Sequence, residues 1–539
     1  MSTTTTSAAD APAVGSSRHA LSDNAAAAIA GVVASGAALA TSEVLGALVP
    51  GGTSLISSVG QVVVDLQPPG AKDFVVSIFG TNDKLALEVL IVIVSLAIGA
   101  GLGILARRSF ALAALGFVAF GVVGFIAALG DPVAIGESSA VVAVVSVAVG
   151  LLVLNWLLAW IVPRPKPVRR GRRRAVAPVA TMPDWSRRAF MVRAGAVGVV
   201  ALGAGFVGRR LLDQQHSSPI GSGPPVPPAT DTVPPPPPEA DLSSTVPNLT
   251  PIVMPNDKFY RIDTALLVPV VDTQGWTLRI HGMVDRETTL TWEQLIALPI
   301  FEQYVTIACV SNEVGDKLVG NAKWTGVRLR QVLDIAGVQS AATQLVGRAV
   351  DGFTVGMPTS WVMDPAREPM IALEMNDAPL PRDHGYPARL IVPGLYGYVS
   401  ATKWLSELEL TTLQAFDAYW VELGWAKEAP ILTQSRIDTP RSDVKAGSAV
   451  PIAGVAWAPD RGISKVEVSI DGAWQDARLS KPISDATWVQ WVAQWTPTPG
   501  AHTLQVRATD GTGALQAEGP TPPAPDGARG WHTVRVNAG

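Results

Sequence analysis

The sequence predicts a multi-domain chain: an all-α bundle of five transmembrane helices, then an α+β domain, then an all-β sandwich. The apolar residues are concentrated in about the first 210 of 539 positions. Short strands then mix with helices, and regular short strands with turn signals follow up to the C-terminus. A chain of this length is itself typical of several domains.

Five long apolar stretches form the predicted membrane region, residues 25–210, after a short tail over residues 1–24. Each has roughly the 20 residues that a helix needs to cross a bilayer. They fall near 25–49, 85–106, 109–130, 138–162 and 189–208. Glu43 and Glu88 lie near segment ends, where they indicate interfacial anchoring or, as an alternative, a quinone-docking site.

The basic residues predict the orientation, because loops rich in Lys and Arg stay in the cytoplasm. They follow the second stretch and lie between the fourth and fifth, at Arg107, Arg108, Arg164, Lys166, Arg169, Arg170, Arg172, Arg173, Arg174, Arg187 and Arg188. We therefore expect a multi-pass protein of the plasma membrane, with a cytoplasmic N-terminus and everything after residue 208 outside. The run SRRAF at residues 186–190 is either ordinary positive charge or a twin-arginine export signal.

Residues 211–251 are predicted to be a Pro-rich linker, because Pro, Ser and Thr dominate from 217 onwards, with prolines at every position from 234 to 238. Such a composition favours extended polyproline conformations. We expect this segment to bury no core and to act as a semi-rigid spacer between the membrane and the outer domains.

The outer part divides into residues 252–420 and 421–539. In the first, residues 276–281 alternate as a strand, Thr291 and Gln294 predict a capped helix, and a second helix covers 329–336. In the second, residues 465–471 and 504–508 alternate before Asp-Gly turns, and a last strand contains Val534 and Val536. This regular spacing predicts a sandwich.

Composition excludes some classes of function. The formal net charge of −4 indicates no nucleic-acid partner. One cysteine and six scattered histidines exclude a disulfide framework and a zinc-type ligand spacing. That cysteine, Cys309, ends a predicted strand and precedes a turn, so it is either a buried small hydrophobic residue or a reactive, metal-binding thiolate.

Three segments carry a family resemblance: VTIACVSNEVGDKLVGNAKWTGV at 305–327, LEMNDAPLPRDHGYPAR at 373–389, and VPGLYG at 392–397, continuing to Lys403 and Trp404. With their order and spacing, residues 255–535 resemble the sulfite oxidase family of molybdenum-pterin oxidoreductases. The last domain resembles the immunoglobulin-like dimerisation domain of that family, with GVAW at 454–457 and RGI at 461–463.

The resemblance implies a molybdenum–molybdopterin cofactor, with Cys309 as the metal ligand and catalytic centre. It implies that the cofactor is held by Tyr260, His384, Arg389, Ser400 and Lys403. It also implies a small-molecule substrate, a homodimer and two-electron oxygen-atom transfer.

The substrate stays open between a sulfite-like anion and an S-oxide. Glu313 and Val314 stand where the family often has basic residues. With no haem-binding domain recognisable in the chain, electrons are expected to pass through a separate quinone or cytochrome partner. The alternative is a catalytically inactive cell-surface binding or assembly module on a membrane anchor.

Overall fold

A computed structural model describes residues 23–66, 83–130, 134–161, 184–217, 223–266, 268–364 and 366–539. The chain divides into a helical unit that ends at Leu212 and a sheet-rich unit that continues from Asp213 to Gly539. The basic residues between 164 and 174, on which the predicted orientation depends, lie outside the described residues.

The helical unit has six helices within its described residues: α1 (Asp23–Leu48), α2 (Leu55–Asp65), α3 (Asp83–Ala106), α4 (Phe110–Leu129), α5 (Gly136–Leu158) and α6 (Asp184–Ser217). All except α2 contain a stretch long and apolar enough to cross a membrane, which confirms the five predicted segments. Gly31 and Gly103 let α1 and α3 approach closely, since a Cβ on either would overlap the backbone of the other helix.

Glu43 and Glu88 are tied to α6 within this unit. Arg209 donates from Nη2 to Glu88 Oε1 at 2.7 Å, and its Nη1 lies 3.9 Å from Glu43 Oε2. Ser54 donates to Glu43, which is buried. The two carboxylates therefore link three helices through one arginine.

Two sheets form the first part of the sheet-rich unit. Their strands are β1 (Thr277–Gly282), β2 (Thr288–Thr291), β3 (Ile300–Ala308), β4 (Val319–Arg328), β5 (Gln344–Ala349), β6 (Thr354–Pro358), β7 (Met370–Met375), β8 (Ala378–Pro379), β9 (Arg389–Ile391) and β10 (Leu405–Thr411). One sheet has the order β2-β1-β10-β5-β6, and the other β3-β4-β7-β8 with β9 beside β7. The helices are α7 (Trp292–Ile296), α8 (Leu329–Ala336), α9 (Thr359–Met363), α10 (Gly397–Ser400) and α11 (Tyr419–Glu422).

Local sequence signals account for several of these elements. Thr291 and Gln294 form the predicted capping box at the start of α7. The α8 helix ends at Gly337, whose φ of 72° lies in the region that favours glycine. Strands β3 and β4 pair antiparallel from Ile300↔Val327 to Ala308↔Val319, so residues 309–318 form the connecting loop.

The C-terminal β-sandwich consists of β11 (Gln434–Thr439), β12 (Val450–Trp457), β13 (Ile463–Ile470), β14 (Ala473–Asp476), β15 (Arg478–Leu479), β16 (Val489–Trp495), β17 (Gly500–Asp510) and β18 (His532–Ala538). Its sheets have the orders β11-β12-β16-β15 and β14-β13-β17-β18. Side chains from both sheets share one core, including Ile437, Ile452, Val466, Leu504 and Val536. Trp457 and Trp488 instead belong to the core of the preceding sheets, which joins the two parts.

The Pro-rich segment does not behave as expected. Within it, Thr230 and Asp231 donate backbone N–H groups to Ile300 O. Leu242, Val246 and Leu249 are buried in a cluster with Ala453 and Val492 of the sandwich. The expectation that this segment buries no core is therefore wrong, because three apolar residues after the proline run find a complementary surface on another domain.

Candidate functional site

Cys309 lies immediately after the end of β3, as predicted, and is the first residue of the loop that connects β3 to β4. Its backbone N–H donates to Leu318 O at 2.9 Å, and Asn312 N donates to Cys309 O at 3.1 Å. The side chain of Asn312 accepts from Leu318 N at 2.7 Å, which closes the loop. Cys309 is 9% exposed, so the residue is held in a shielded position by a short hydrogen-bonded loop.

Tyr260 lies within electrostatic reach of both Cys309 and Arg389. Burial and then the negative charge of Cys309 raise the pKa of Tyr260, against the opposing effect of Arg389. The phenol therefore stays protonated and can donate a hydrogen bond. Phe259 orients this segment, because its ring stacks on Tyr260 at 5.3 Å and meets the His384 ring edge-on at 5.6 Å.

Arg389 begins β9 and is 3% exposed. Its Nη1 donates to His384 O at 3.0 Å, and its guanidinium lies 5.2 Å from the Trp324 ring. Within the described residues no carboxylate lies in ion-pair range of this cation, and burial lowers the pKa of Arg389 to about 10. A buried charge without a counter-charge is costly, so this environment suits an anionic ligand.

His384 presents a hydrogen-bond acceptor at the same place. Its Nε2 lies 3.1 Å from Asn256 O, and a carbonyl only accepts, so Nε2 carries the proton. Burial lowers the pKa of His384 to about 4, with Lys403 and Arg389 acting in the same direction. The ring is therefore neutral, and its buried Nδ1 has no hydrogen-bond partner in the described part of the chain.

Lys403 is the second buried cation. Its Nζ lies 3.1 Å from Asp263 Oδ2 and donates to Asp383 O at 2.8 Å. Burial lowers the pKa of Lys403 to about 8, although Asp263 opposes this effect. The backbone comes close to Gly385, where φ is 112° and a Cβ would lie 2.9 Å from Lys403 Cα. The His-Gly pair of the sequence motif thus brings His384 and Lys403 together.

The predicted site residue Ser400 has its hydroxyl group hydrogen-bonded to the backbone of its own loop. Its hydroxyl lies 3.1 Å from Leu395 O and 2.9 Å from Tyr396 O, within its own turn of helix. A ligand would therefore meet the backbone of this loop.

Four residues near the site were not recognised from the sequence. Asn256 accepts from His384 and is itself fixed by Asn376 Nδ2 at 2.7 Å. Asp263 pairs with Lys403, and Tyr396 lies within electrostatic reach of Cys309. Asn376 and Tyr396 belong to the quoted motifs, which was a usable signal, whereas nothing in the pattern around Asp263 marks it.

Residues 265–420 match the family model described as "Oxidoreductase molybdopterin binding domain", a range that includes every predicted site residue except Tyr260. The mitochondrial sulfite oxidase of Drosophila melanogaster is 32% identical over 238 residues, covering 40% of this chain and 40% of that protein. The human mitochondrial sulfite oxidase is 28% identical over 299 residues, covering 46% of this chain and 54% of that protein.

Among solved structures, the sulfane dehydrogenase SoxCD from Paracoccus pantotrophus is 22% identical with a TM-score of 0.46, covering 53% of this chain and 83% of that chain. The chain thus spans about half, or less, of the length of the first curated relatives it matches.

The family-model match defines the class: residues 265–420 form a molybdopterin-binding oxidoreductase domain. Within that class the domain is similar to sulfite oxidases, and the matches imply a molybdenum–molybdopterin cofactor.

The site residues fit such a group. Arg389 and Lys403 are buried cations suited to its anionic parts, and His384 Nδ1 is a buried acceptor that needs a donor. Across the described residues, no cluster of three or more His, Cys, Asp or Glu could hold a metal ion.

Proposed function

We propose that this chain is a membrane-anchored molybdenum-cofactor oxidoreductase that transfers an oxygen atom, with two electrons, to or from an extracytoplasmic sulfur compound. The observation that carries the proposal is the convergence of Arg389, His384 and Tyr260 beside Cys309, with charges and acceptors that the described protein leaves uncompensated. Isolated polar groups of this kind are expensive to bury, so a set of them marks a binding site.

Each residue has a role consistent with its contacts. The Cys309 thiolate binds molybdenum, for which a soft sulfur donor is suitable. Arg389 and Lys403 hold the phosphate and the anionic part of the pterin, and His384 Nδ1 accepts a hydrogen bond from it. Tyr260 donates its hydroxyl beside the thiolate, and the loop of Ser400 offers backbone groups. When bound, the cofactor supplies the redox and oxygen-transfer chemistry.

The substrate is either a sulfite-like anion or an S-oxide. Glu313, exposed in the loop after Cys309, adds negative charge at a point where an anion would approach. This charge weakens attraction of a dianion and favours a neutral S-oxide.

The wider organisation is proposed on the sequence. The charge distribution between the apolar segments supports an N-terminus in the cytoplasm and an outer catalytic unit. Export through the twin-arginine run at 186–190 would move a domain that has already folded around its cofactor. The β-sandwich is proposed to be immunoglobulin-like and to mediate a homodimer, and a quinone or cytochrome would exchange the electrons.

The test uses the full chain, purified in detergent from a host that makes the cofactor, beside Cys309→Ser. About one molybdenum per chain, with an altered metal absorption spectrum in the variant while pterin stays bound, supports the proposal. Turnover is then measured with sulfite and an artificial acceptor, and with an S-oxide and an artificial donor. A folded wild-type chain without metal or pterin would overturn it and favour a binding module.

A further inference from the structure

The β-sandwich holds the Cys309 hairpin on both sides of the thiol. On the incoming strand, Thr306 N donates to Ala486 O at 2.9 Å, and Trp488 N donates to Thr306 Oγ1 at 2.8 Å. Thr306 precedes Cys309 by three residues. The strand that delivers the thiol is therefore bonded to the sandwich just before it ends.

On the outgoing side the contact is made by Arg436 of β11, which is 3% exposed. Its Nη1 donates to Asp316 O, in the hairpin loop, at 2.6 Å. Its Nε donates to Asp438 Oδ1 at 2.7 Å and its Nη2 to Thr250 Oγ1 at 3.0 Å. One guanidinium thus joins the hairpin loop, the sandwich and the Pro-rich segment, and each of its three nitrogens has an acceptor.

Two neighbouring side chains, Arg441 and His532, contact the same loop. Arg441 Nη2 donates to Gly315 O at 3.2 Å. The ring of His532 packs against Gly315, where φ is 84° and a Cβ would overlap the ring. His532 is itself held, because its Nδ1 accepts from Ile437 N at 3.0 Å. The loop therefore rests on a fixed surface that Arg436 and its neighbours on β11 and β18 provide.

We propose that Arg436 is a positioning residue for Cys309: by fixing Asp316 against the sandwich, it sets the place and the accessibility of the thiol. The proposal rests on the proposed role of Cys309 as the metal ligand, because a ligand must be held within a narrow range of positions. Charge-assisted hydrogen bonds in a buried setting are strong, and their loss leaves the Asp316 carbonyl without this donor and Asp438 without its guanidinium partner, although Asp438 still accepts from Thr250 N.

A purely structural role for Arg436 would stabilise the domain interface without affecting the thiol. Cys309 is the only cysteine in the chain, so its alkylation reports on this one position. The experiment measures the rate at which iodoacetamide alkylates the full chain, prepared without cofactor in a host that lacks pterin synthesis. The variants are Arg436→Gln and Arg436→Lys.

Arg461→Gln is the matched control. Arg461 is another sandwich arginine with three donors in use, to Asp510 at 3.1 Å, to Asp460 at 3.1 Å and to Ile431 O at 2.8 Å, none of them in the hairpin. We expect Arg436→Gln to raise the alkylation rate about tenfold, because one charge-assisted bond no longer opposes opening of the loop, and Arg461→Gln to leave it within about twofold. Arg436→Lys should fall between wild type and Arg436→Gln.

A second measurement uses the loaded protein, where Arg436→Lys should retain pterin and metal but shift the visible absorption band of the metal–sulfur bond. Equal alkylation rates in Arg436→Gln and Arg461→Gln, together with an unshifted absorption band in Arg436→Lys, would overturn the proposal. If Arg436→Gln does not fold, as judged by circular dichroism, Arg436→Lys alone decides through both readouts. Failure of the proposed function is recognised separately, as a folded wild-type chain without molybdenum or a Cys309→Ser variant with an unchanged metal absorption spectrum.

Discussion

Replacement of Arg389 by methionine should stabilise the cofactor-free protein, which is the opposite of what a buried arginine usually does on removal. The pKa of Arg389 is lowered from its ordinary 12.5 to about 10, chiefly by burial. At about 1.4 kcal/mol for each pKa unit, the buried charge costs the folded state about 3 kcal/mol. Methionine fills a similar apolar volume without that charge.

Two favourable contacts are lost in the exchange. The hydrogen bond from Nη1 to His384 O contributes about 1 kcal/mol, and the cation–π contact with Trp324 about another 1 kcal/mol. The variant should therefore gain about 1 kcal/mol in its free energy of unfolding, while binding of the cofactor is lost. The wild-type protein is thus less stable without its cofactor because it keeps a charged residue that binds the cofactor.

The assay is urea unfolding of the cofactor-free full chain in detergent, followed by tryptophan fluorescence, with pterin content measured on chains from a cofactor-producing host. Arg436→Met is the control, for which we expect the free energy of unfolding to fall. That arginine is as buried but bonded to Asp438, so its removal should cost about 3–5 kcal/mol. A loss of 2 kcal/mol or more in Arg389→Met, or retention of the pterin, would refute the reasoning.

Three further predictions follow from the same contacts. Cys309→Ser should lower turnover by at least about a hundredfold with an unchanged circular dichroism spectrum, since the metal loses its protein ligand; retained turnover would contradict the ligand role. Because burial lowers the pKa of Lys403 from 10.5 to about 8, the unfolded chain binds a proton between these pH values that the folded cofactor-free chain does not. Lys403 should therefore contribute a rise in the free energy of unfolding with pH across this window, and Lys403→Met should lose that contribution relative to wild type. A variant with the same pH dependence as wild type would refute it. Gly315→Ala should lower the free energy of unfolding by about 2 kcal/mol or more in thermal unfolding, because it adds backbone strain and a clash with His532. Gly352→Ala is the control: its φ is 86° but the space around it is open, so it adds strain alone and should cost less. Equal losses in the two variants would count against the packing argument.

Local signals made much of the fold predictable. The capping box of Thr291 and Gln294 and the glycine at 337 fix helix ends through contacts within a few residues, so they can be read from the sequence. The five apolar segments and the turn after Cys309 are local in the same sense. The burial of apolar residues in the Pro-rich segment was not predicted, because it depends on Ala453 and Val492, more than 200 residues further along the chain.

The candidate site was predictable to the extent that its residues lie in motifs. Cys309, His384, Arg389 and Lys403 stay predictions as site residues, and the structure adds their contacts, which motifs do not carry. Ser400 lies in the right loop but turns its hydroxyl to its own backbone. Asp263 pairs with Lys403 across 140 residues of sequence, and no periodicity or spacing relates the two.

Two buried arginines show how a site differs physically from a scaffold in this protein. Arg436 is surrounded by acceptors for each of its nitrogens, so its charge is compensated by the chain itself and its role is to hold segments together. Arg389 is equally buried, but its Nε has no acceptor in the described part of the chain, and the nearby His384 Nδ1 is also unsatisfied.

Unsatisfied buried atoms occur elsewhere too, at Trp457 Nε1, Trp491 Nε1 and Ser469 Oγ of the sandwich, but these are neutral groups. Among the residues that the structure describes, a cation without a counter-charge, a neutral imidazole and a protonated phenol meet around Cys309. Burying these groups together lowers the stability of the cofactor-free protein. We expect such an arrangement where a bound ligand compensates it. The same reasoning explains why Arg389→Met and Arg436→Met, chemically the same substitution, should change the stability in opposite directions.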